Sequence, residues 1–259
     1  MNLVQSFLRR FDLRVVGNSR YEQMKEAARM GNGIELLMSL PAAQLPRLLK
    51  LTRTSKSQLG QDLFVLSELE FKEKGFFVEF GATNGIDLSN TYLLEKEFGW
   101  KGILAEPARC WHESLRKNRN ACIEETCVWK DSNSILEFNE ASFAELSTID
   151  AYSGEDLHGR SRSRGTKYAV RTISLNDLLA KYDAPSAIDY LSIDTEGSEL
   201  EILKNLDFER YSFRVISCEH NFTPAREGIQ RLLERNGYTR RLAEVSSVDD
   251  WYVRSRDRS

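Results

Sequence analysis

Two acidic segments stand out by residue type. Asp194-Thr195-Glu196-Gly197 and Glu219-His220-Asn221 each close a short apolar run, Tyr190–Ile193 and Val215–Cys218. A carboxylate or an imidazole at such a place can take a proton from a hydroxyl or orient a reactant. Asp194, Glu219 and Asn221 would also present oxygen ligands of the kind that Mg²⁺ accepts. The structural alternative is that these acids cap the next helix or pair with arginines.

A third feature is Val78–Gly85, VEFGATNG. It reads as a strand entering a glycine turn, where the backbone can approach a ligand closely. The turn is one residue short of the G-x-G-x-x-G spacing for dinucleotides, so it suits a smaller ligand or is simply a tight strand–helix turn. Glu106 follows 25 residues after Gly81 and ends the next apolar run, Gly102–Ala105. An acid there can accept both ribose hydroxyls of a nucleoside; otherwise it faces water.

Positioning these groups calls for an α/β sheet. From about residue 57, buried-strand runs alternate with helical patterns, which predicts parallel strands flanked by helices. Strands are expected at Phe76–Phe80, Gly102–Glu106, Ala121–Val128, Ser134–Phe138, Ile188–Asp194 and Arg214–His220, with closing strands near Tyr238–Leu242 and Asp250–Val253. A helix carrying Leu88, Tyr92, Leu93 and Phe98 is expected between the first two. Ligands of such sheets bind beyond the carboxyl ends of the strands, where strand order reverses. All four polar features fall at such ends.

Residues 1–54 read as a helical extension and 55–259 as the main domain. Val4, Phe7, Leu8 and Phe11 recur at helical spacing, and Pro41 and Pro46 break a second apolar stretch. This extension packs on the main domain or on a second copy, which would make a homodimer; a membrane-surface helix is the less favoured reading. The loop His158–Arg171 holds Arg160, Arg162, Arg164, Lys167 and Arg171, and reads as a solvated loop or a lid for an acidic acceptor.

Composition narrows the classes. The 259 residues carry Lys+Arg 36 against Asp+Glu 39, a net charge of −3 that gives no basic surplus for nucleic acid. No run of about 18 apolar residues and no secretory leader pattern is present. Cys110, Cys122, Cys127 and Cys218 lack CxxC spacing, read as reduced thiols, and point to a cytoplasmic protein.

Ser57–Leu69, Gly75–Pro107 and Tyr190–Leu203, with their SNT-x-LLE and ID-x-EG-x-E-x-x-L patterns, resemble the FkbM-type S-adenosylmethionine-dependent methyltransferases. The likeness runs from about Ser57 to His220. It implies a Rossmann-like class I methyltransferase fold with a seven-stranded, mostly parallel sheet, S-adenosylmethionine as donor, and a hydroxyl acceptor on a sugar, glycan or glycosylated natural product.

Carried onto this chain, the resemblance places the methionine part of the cofactor on Glu79, Gly81, Ala82, Asn84 and Gly85. Ser89 and Asn90, opening the next helix, would donate to its carboxylate. Glu106 would hold the ribose, and Cys127 and Val128 the adenine. Gln58, Gln61 and Asp62 would close over the site or brace the first helix. Glu196 and His220 become the candidate general bases, with Asp194 orienting acceptor or cofactor. The Asp194, Glu219 and Asn221 set also resembles the metal site of catechol-type O-methyltransferases, but Gly197 stands where their lysine base would be. Two other readings compete: a nicotinamide-dependent oxidoreductase, disfavoured by the short glycine turn, and a scaffold that binds cofactor without turnover.

Overall fold

The computed structural model describes residues 20, 31, 33–141, 147–149 and 165–255. The expected amphipathic start, Val4 to Phe11, lies outside them, as do His158–Arg164. The helices in chain order are α1 (Leu45–Leu51), α2 (Gln61–Glu68), α3 (Tyr92–Phe98), α4 (His112–Asn118), α5 (Leu175–Lys181), α6 (Glu199–Lys204) and α7 (Ala225–Arg235). The large sheet runs β10 (Tyr238–Arg241), β11 (Asp249–Arg254), β9 (Ser212–Glu219), β8 (Ala187–Ile193), β1 (Phe76–Phe80), β2 (Lys101–Ala105), β3 (Cys122–Glu124). From β9 to β3 all neighbours are parallel, and only β11 runs against the rest, antiparallel to both β9 and β10. The fold is therefore α/β, with a seven-stranded, mostly parallel sheet flanked by helices.

Strand order reverses between β1 and β8, so the crevice at their carboxyl ends is the expected ligand position. Both faces of the sheet are buried, as the continuous apolar strands require. Val78, Phe80, Ile103, Leu191 and Ile216 pack on the face covered by α5, α6 and α7. Phe77, Leu104, Tyr190, Val215 and Trp251 pack on the other, against α2 and α3. Leu36, Leu40 and Leu48, from the stretch before residue 54, bury in this second cluster. Pro46 does not break a helix there: it sits in the first turn of α1, where its missing N–H costs nothing.

Three expectations need correction. Ala121–Val128 is not one strand. The Glu124 carboxylate accepts from the Thr126 amide at 3.1 Å and its hydroxyl at 2.9 Å, and this local turn ends β3. The chain then leaves for a second sheet, β4 (Cys127–Trp129), β7 (Thr166–Ser174), β5 (Ile135–Glu140) and β6 (Thr148–Ile149) in that order. Lys167 and Arg171 lie on β7 rather than in a loop, with Lys167 3.3 Å from Glu137. Finally, Leu88 lies outside the helix; it bridges Ser57, and α3 starts at Tyr92.

Candidate functional site

The strand ends place five residues in one transverse row. Asp249 pairs with Glu219 across β11 and β9. One residue past the Ile193↔Cys218 pair, Asp194 lies beside Glu219, and one past Phe80↔Ala105, Gly81 lies beside Glu106. Gly81, at φ +70°, joins the two halves because a Cβ there would overlap the Asp194 carbonyl oxygen. The row therefore reads Asp249, Glu219, Asp194, Gly81, Glu106. Asp249 was missed in the sequence because its strand is antiparallel and begins, rather than ends, at this edge.

Each carboxyl in the row feels burial and its neighbours. Burial and the nearby Asp249 push Asp194 up to about 7, against a hydrogen bond with Glu219. Glu219 is held well above the carboxylate range by burial and then by Asp194 and Glu196. Asp249 rises to about 6 through burial, although Gln61 Nε2 donates to it at 2.8 Å. No lysine or arginine pairs with Asp194, Glu219 or Asp249 among the described residues, so the row lacks an internal counter-charge.

The Thr195–Glu199 turn fixes Glu196 beside this row. Glu199 accepts from the Thr195 amide at 3.0 Å, its hydroxyl at 2.9 Å and the Gly197 amide at 3.0 Å. Glu196 takes a left-handed φ of 59° and Gly197 one of 122°, a pair that glycine at the second position makes accessible. Asn221 Nδ2 donates to Glu196 Oε2 at 3.2 Å, and the Glu196 carbonyl accepts from Thr148 Oγ1 at 3.0 Å. Asp194, Glu196 and Glu219 each bring one carboxylate oxygen within 4.8 Å of the others.

His220 stands apart. Its Nδ1 accepts from the Phe222 amide at 3.0 Å, and its Nε2 faces Asp250 at 3.8 Å. Burial, opposed by Asp250, holds its pKa below the usual value. The ring faces Asp250, whereas Asp194, Glu196 and Glu219 gather as a separate cluster.

Glu106 closes the other end. Its two oxygens accept from the Thr83 and Ala108 amides, each at 2.8 Å, which aims the carboxyl into a cleft. Burial pushes it up to about 7. Gly81, Ala105, Asp194 and Thr195 line that cleft on the large sheet; Cys127, Val128, Phe138 and Ile149 line it on the small one. At ≈ 40 Å³ it is narrow against the ~300 Å³ usual for small-molecule sites.

Glu79, Ser89 and Asn90 are engaged with one another. Glu79 accepts from the Asn90 amide at 2.7 Å, Ser89 Oγ at 3.0 Å and the Thr91 hydroxyl. Arg119, wholly buried, lies 3.8 Å from Glu79 and donates to Ser89 and Thr91. Ser89 and Asn90 thus precede α3 and clamp the loop to β1 instead of opening the helix. Asn84 is likewise turned inward, accepting from the Ile86 and Asp87 amides at 2.9 Å. Ala82 is buried in the core, and Gly85 packs on Arg119. Gln61 and Asp62 brace: Asp62 accepts from Ser55, Ser57 and the Leu63 amide. Arg119, Asp249 and Thr148 carried no motif signal of their own.

A parallel sheet whose strand order reverses between β1 and β8, with acids at the strand ends beside that point, is the architecture in which nucleoside cofactors are bound. The Methyltransferase FkbM domain matches residues 79–251, and the chain belongs to that family. It is an S-adenosylmethionine-dependent methyltransferase, and the nicotinamide reading falls. No curated protein matches the chain. Among solved structures it is similar to a TehB-like SAM-dependent methyltransferase from Corynebacterium glutamicum (8% identity, TM-score 0.39, covering 82% of this chain and 97% of that one). It is also similar to precorrin-6y C5,15-methyltransferase from Geobacter metallireducens (14% identity, TM-score 0.38, covering 70% and 73%). Among the described residues no helix is long and apolar enough to cross a membrane.

Proposed function

We propose that this chain is an O-methyltransferase acting on a hydroxyl of a sugar, glycan or glycosylated small molecule, in the cytoplasm. The observation that carries the reading is Glu196, a buried carboxylate fixed beside Asp194 next to the cofactor cleft. A hydroxyl is a poor nucleophile until its proton has somewhere to go. When bound, the cofactor supplies a methyl group on a sulfonium. Glu106 would receive the ribose hydroxyls, and Cys127 and Val128 would flank the adenine. Glu196 would take the proton of the acceptor hydroxyl and Asp194 would orient that hydroxyl, while the methyl group passes from sulfur to oxygen and the cofactor leaves as the neutral thioether. Four free cysteines fit a reducing compartment.

A second reading concerns a divalent cation. Asp194, Glu196 and Glu219 each bring a carboxylate oxygen within 4.8 Å of the others, and Asn221, whose Nδ2 donates to Glu196 Oε2 at 3.2 Å, stands beside them with its Oδ1 as the atom a cation would use. Glu219 Oε2 is buried without a hydrogen-bond partner, which favours a cation there. Titrating the protein with Mn²⁺ by electron paramagnetic resonance tests it; binding unchanged by Glu219→Gln would remove the reading.

The test of the main proposal is an acceptor screen with labelled S-adenosylmethionine over sugars, glycosides and amines. Transfer to a hydroxyl, lost by at least about 100-fold in Glu196→Gln with cofactor affinity retained, is expected. Transfer to nitrogen alone would overturn it. Tight cofactor binding with no acceptor and no effect of Glu196→Gln would indicate a scaffold.

A further inference from the structure

The small sheet reaches the acid cluster through Thr148. Its edge strand β6 is only Thr148–Ile149, paired antiparallel with Asn139 and Phe138 of β5. Ile149 lines the cleft beside Glu106. Thr148 is 1% exposed and sends its hydroxyl to the turn after β8, where Oγ1 lies 3.2 Å from the Thr195 carbonyl oxygen and 3.0 Å from that of Glu196. A hydroxyl has one proton, so the two carbonyls share it in a three-centre bond.

Those carbonyls belong to the two peptide units that flank the Glu196 Cα. Each unit is planar, so the backbone at Glu196 has only φ and ψ to turn about, and a group that grips both carbonyls restrains both angles. Restraint matters here because φ is 59°, a left-handed conformation that a residue with a Cβ keeps only where its surroundings hold it. Glu199 grips the same turn from within, accepting from the Thr195 and Gly197 amides at 3.0 Å. The Glu196–Gly197 peptide unit is therefore held at both ends, by Glu199 at its amide and by Thr148 at its carbonyl. At the tip of the side chain, Asn221 Nδ2 donates to Glu196 Oε2 at 3.2 Å. Loosening at the backbone moves the carboxylate most, since it lies at the end of the lever. A misplacement of about 1 Å can cost on the order of 100-fold in rate.

Taking Glu196 as the base proposed above, we infer that Thr148 is a positioning residue for methyl transfer. From the small sheet, its hydroxyl sets the backbone that aims the Glu196 carboxylate at the acceptor.

Full-length Thr148→Val keeps the side-chain shape and removes the hydroxyl, and Thr148→Ser keeps the hydroxyl. Hydrogen exchange at the Thr195 and Gly197 amides reads the turn without any acceptor. It is expected to quicken at least tenfold in Thr148→Val and to stay within twofold of wild type in Thr148→Ser, with the β8 amides of Ala187–Ile193 unchanged in both. With labelled S-adenosylmethionine and the hydroxyl acceptor found in the screen, Thr148→Val is expected to lower kcat at least tenfold. Acceptor KM and cofactor affinity should stay within twofold, and Thr148→Ser should recover the rate. Unchanged exchange at the turn in Thr148→Val overturns the inference, as does equal quickening along β8, which is general loosening. An unchanged kcat in Thr148→Val, where Glu196→Gln abolishes transfer, also overturns it. Normal transfer by Glu196→Gln brings down the base itself, and the exchange result then speaks for the turn alone.

Discussion

The backbone of Gly81 lies against the carbonyl oxygen of Asp194, so close that any Cβ would overlap it. This contact links the glycine turn after β1, proposed to receive the cofactor, to the turn that holds the acid cluster, across the point where strand order reverses. Gly81→Ala adds both the overlap and a left-handed backbone that alanine resists at about 1–2 kcal/mol. The variant is expected to bind S-adenosylmethionine at least tenfold more weakly and to melt several degrees lower. Calorimetry and thermal denaturation check this; wild-type affinity would show that the two turns are independent.

The acidic row makes stability depend on pH. Asp62 and Asp249 sit at about 6 and Glu106 and Asp194 at about 7, all raised first by burial. Between the unfolded carboxylate range and these values the folded chain binds more protons, so stability falls as pH rises through the window. Each unit of difference is about 1.4 kcal/mol. His112 and His220, depressed by burial, act in the opposite sense below about 6.5 but are fewer. The unliganded protein is expected to have a lower urea midpoint at pH 8 than at pH 6, with the gap reduced by S-adenosylmethionine. An equal or higher midpoint at pH 8 would contradict the assignment.

What the sequence disclosed follows from what determines each element. Phe76–Phe80 and Ile188–Ile193 are continuous apolar runs that burial on both faces demands, so the parallel sheet and its acid-bearing ends were readable. Register was not: nothing in the sequence says that Asp249 stands opposite Glu219. The second sheet was hidden because a hydrogen-bonded turn at Glu124 and Thr126, invisible to apolar patterning, splits one β-like run in two. His220 stood out by type, but that its ring faces Asp250 was not legible in the sequence.

Arg119 is where buried charge is most exposed to mutation. It donates to Glu95 at 2.8 Å and lies 3.8 Å from Glu79, with its side chain wholly buried. Against the upward push of burial, Arg119 and the Asn120 amide hold Glu95 below its ordinary value. Arg119→Ala would remove the buried cation beside Glu79 and leave Glu95 with Lys96, a loss of roughly 3–5 kcal/mol. Arg119→Lys is expected to recover little, because one ammonium cannot reach Glu95, Ser89 and Thr91 together. Urea unfolding of both variants measures this, and full rescue by lysine would reduce the clamp to a point charge.

Glu106 ties cofactor affinity to pH near neutrality. Its carboxyl, at about 7, is half protonated there, and one of its acceptor sites on each oxygen is already taken by an amide. A ribose diol needs the remaining sites as acceptors, so the ionised form is the one that binds. Affinity for S-adenosylmethionine is therefore expected to rise as pH goes from 6 to 8, before any effect of the acid row on the sulfonium. Glu106→Gln should bind about tenfold more weakly at pH 8, or about 1.4 kcal/mol. It should also have a shallower pH slope than the wild type. Titration calorimetry at three pH values separates the two effects, and an unchanged slope would move the titrating group from Glu106 to Asp194.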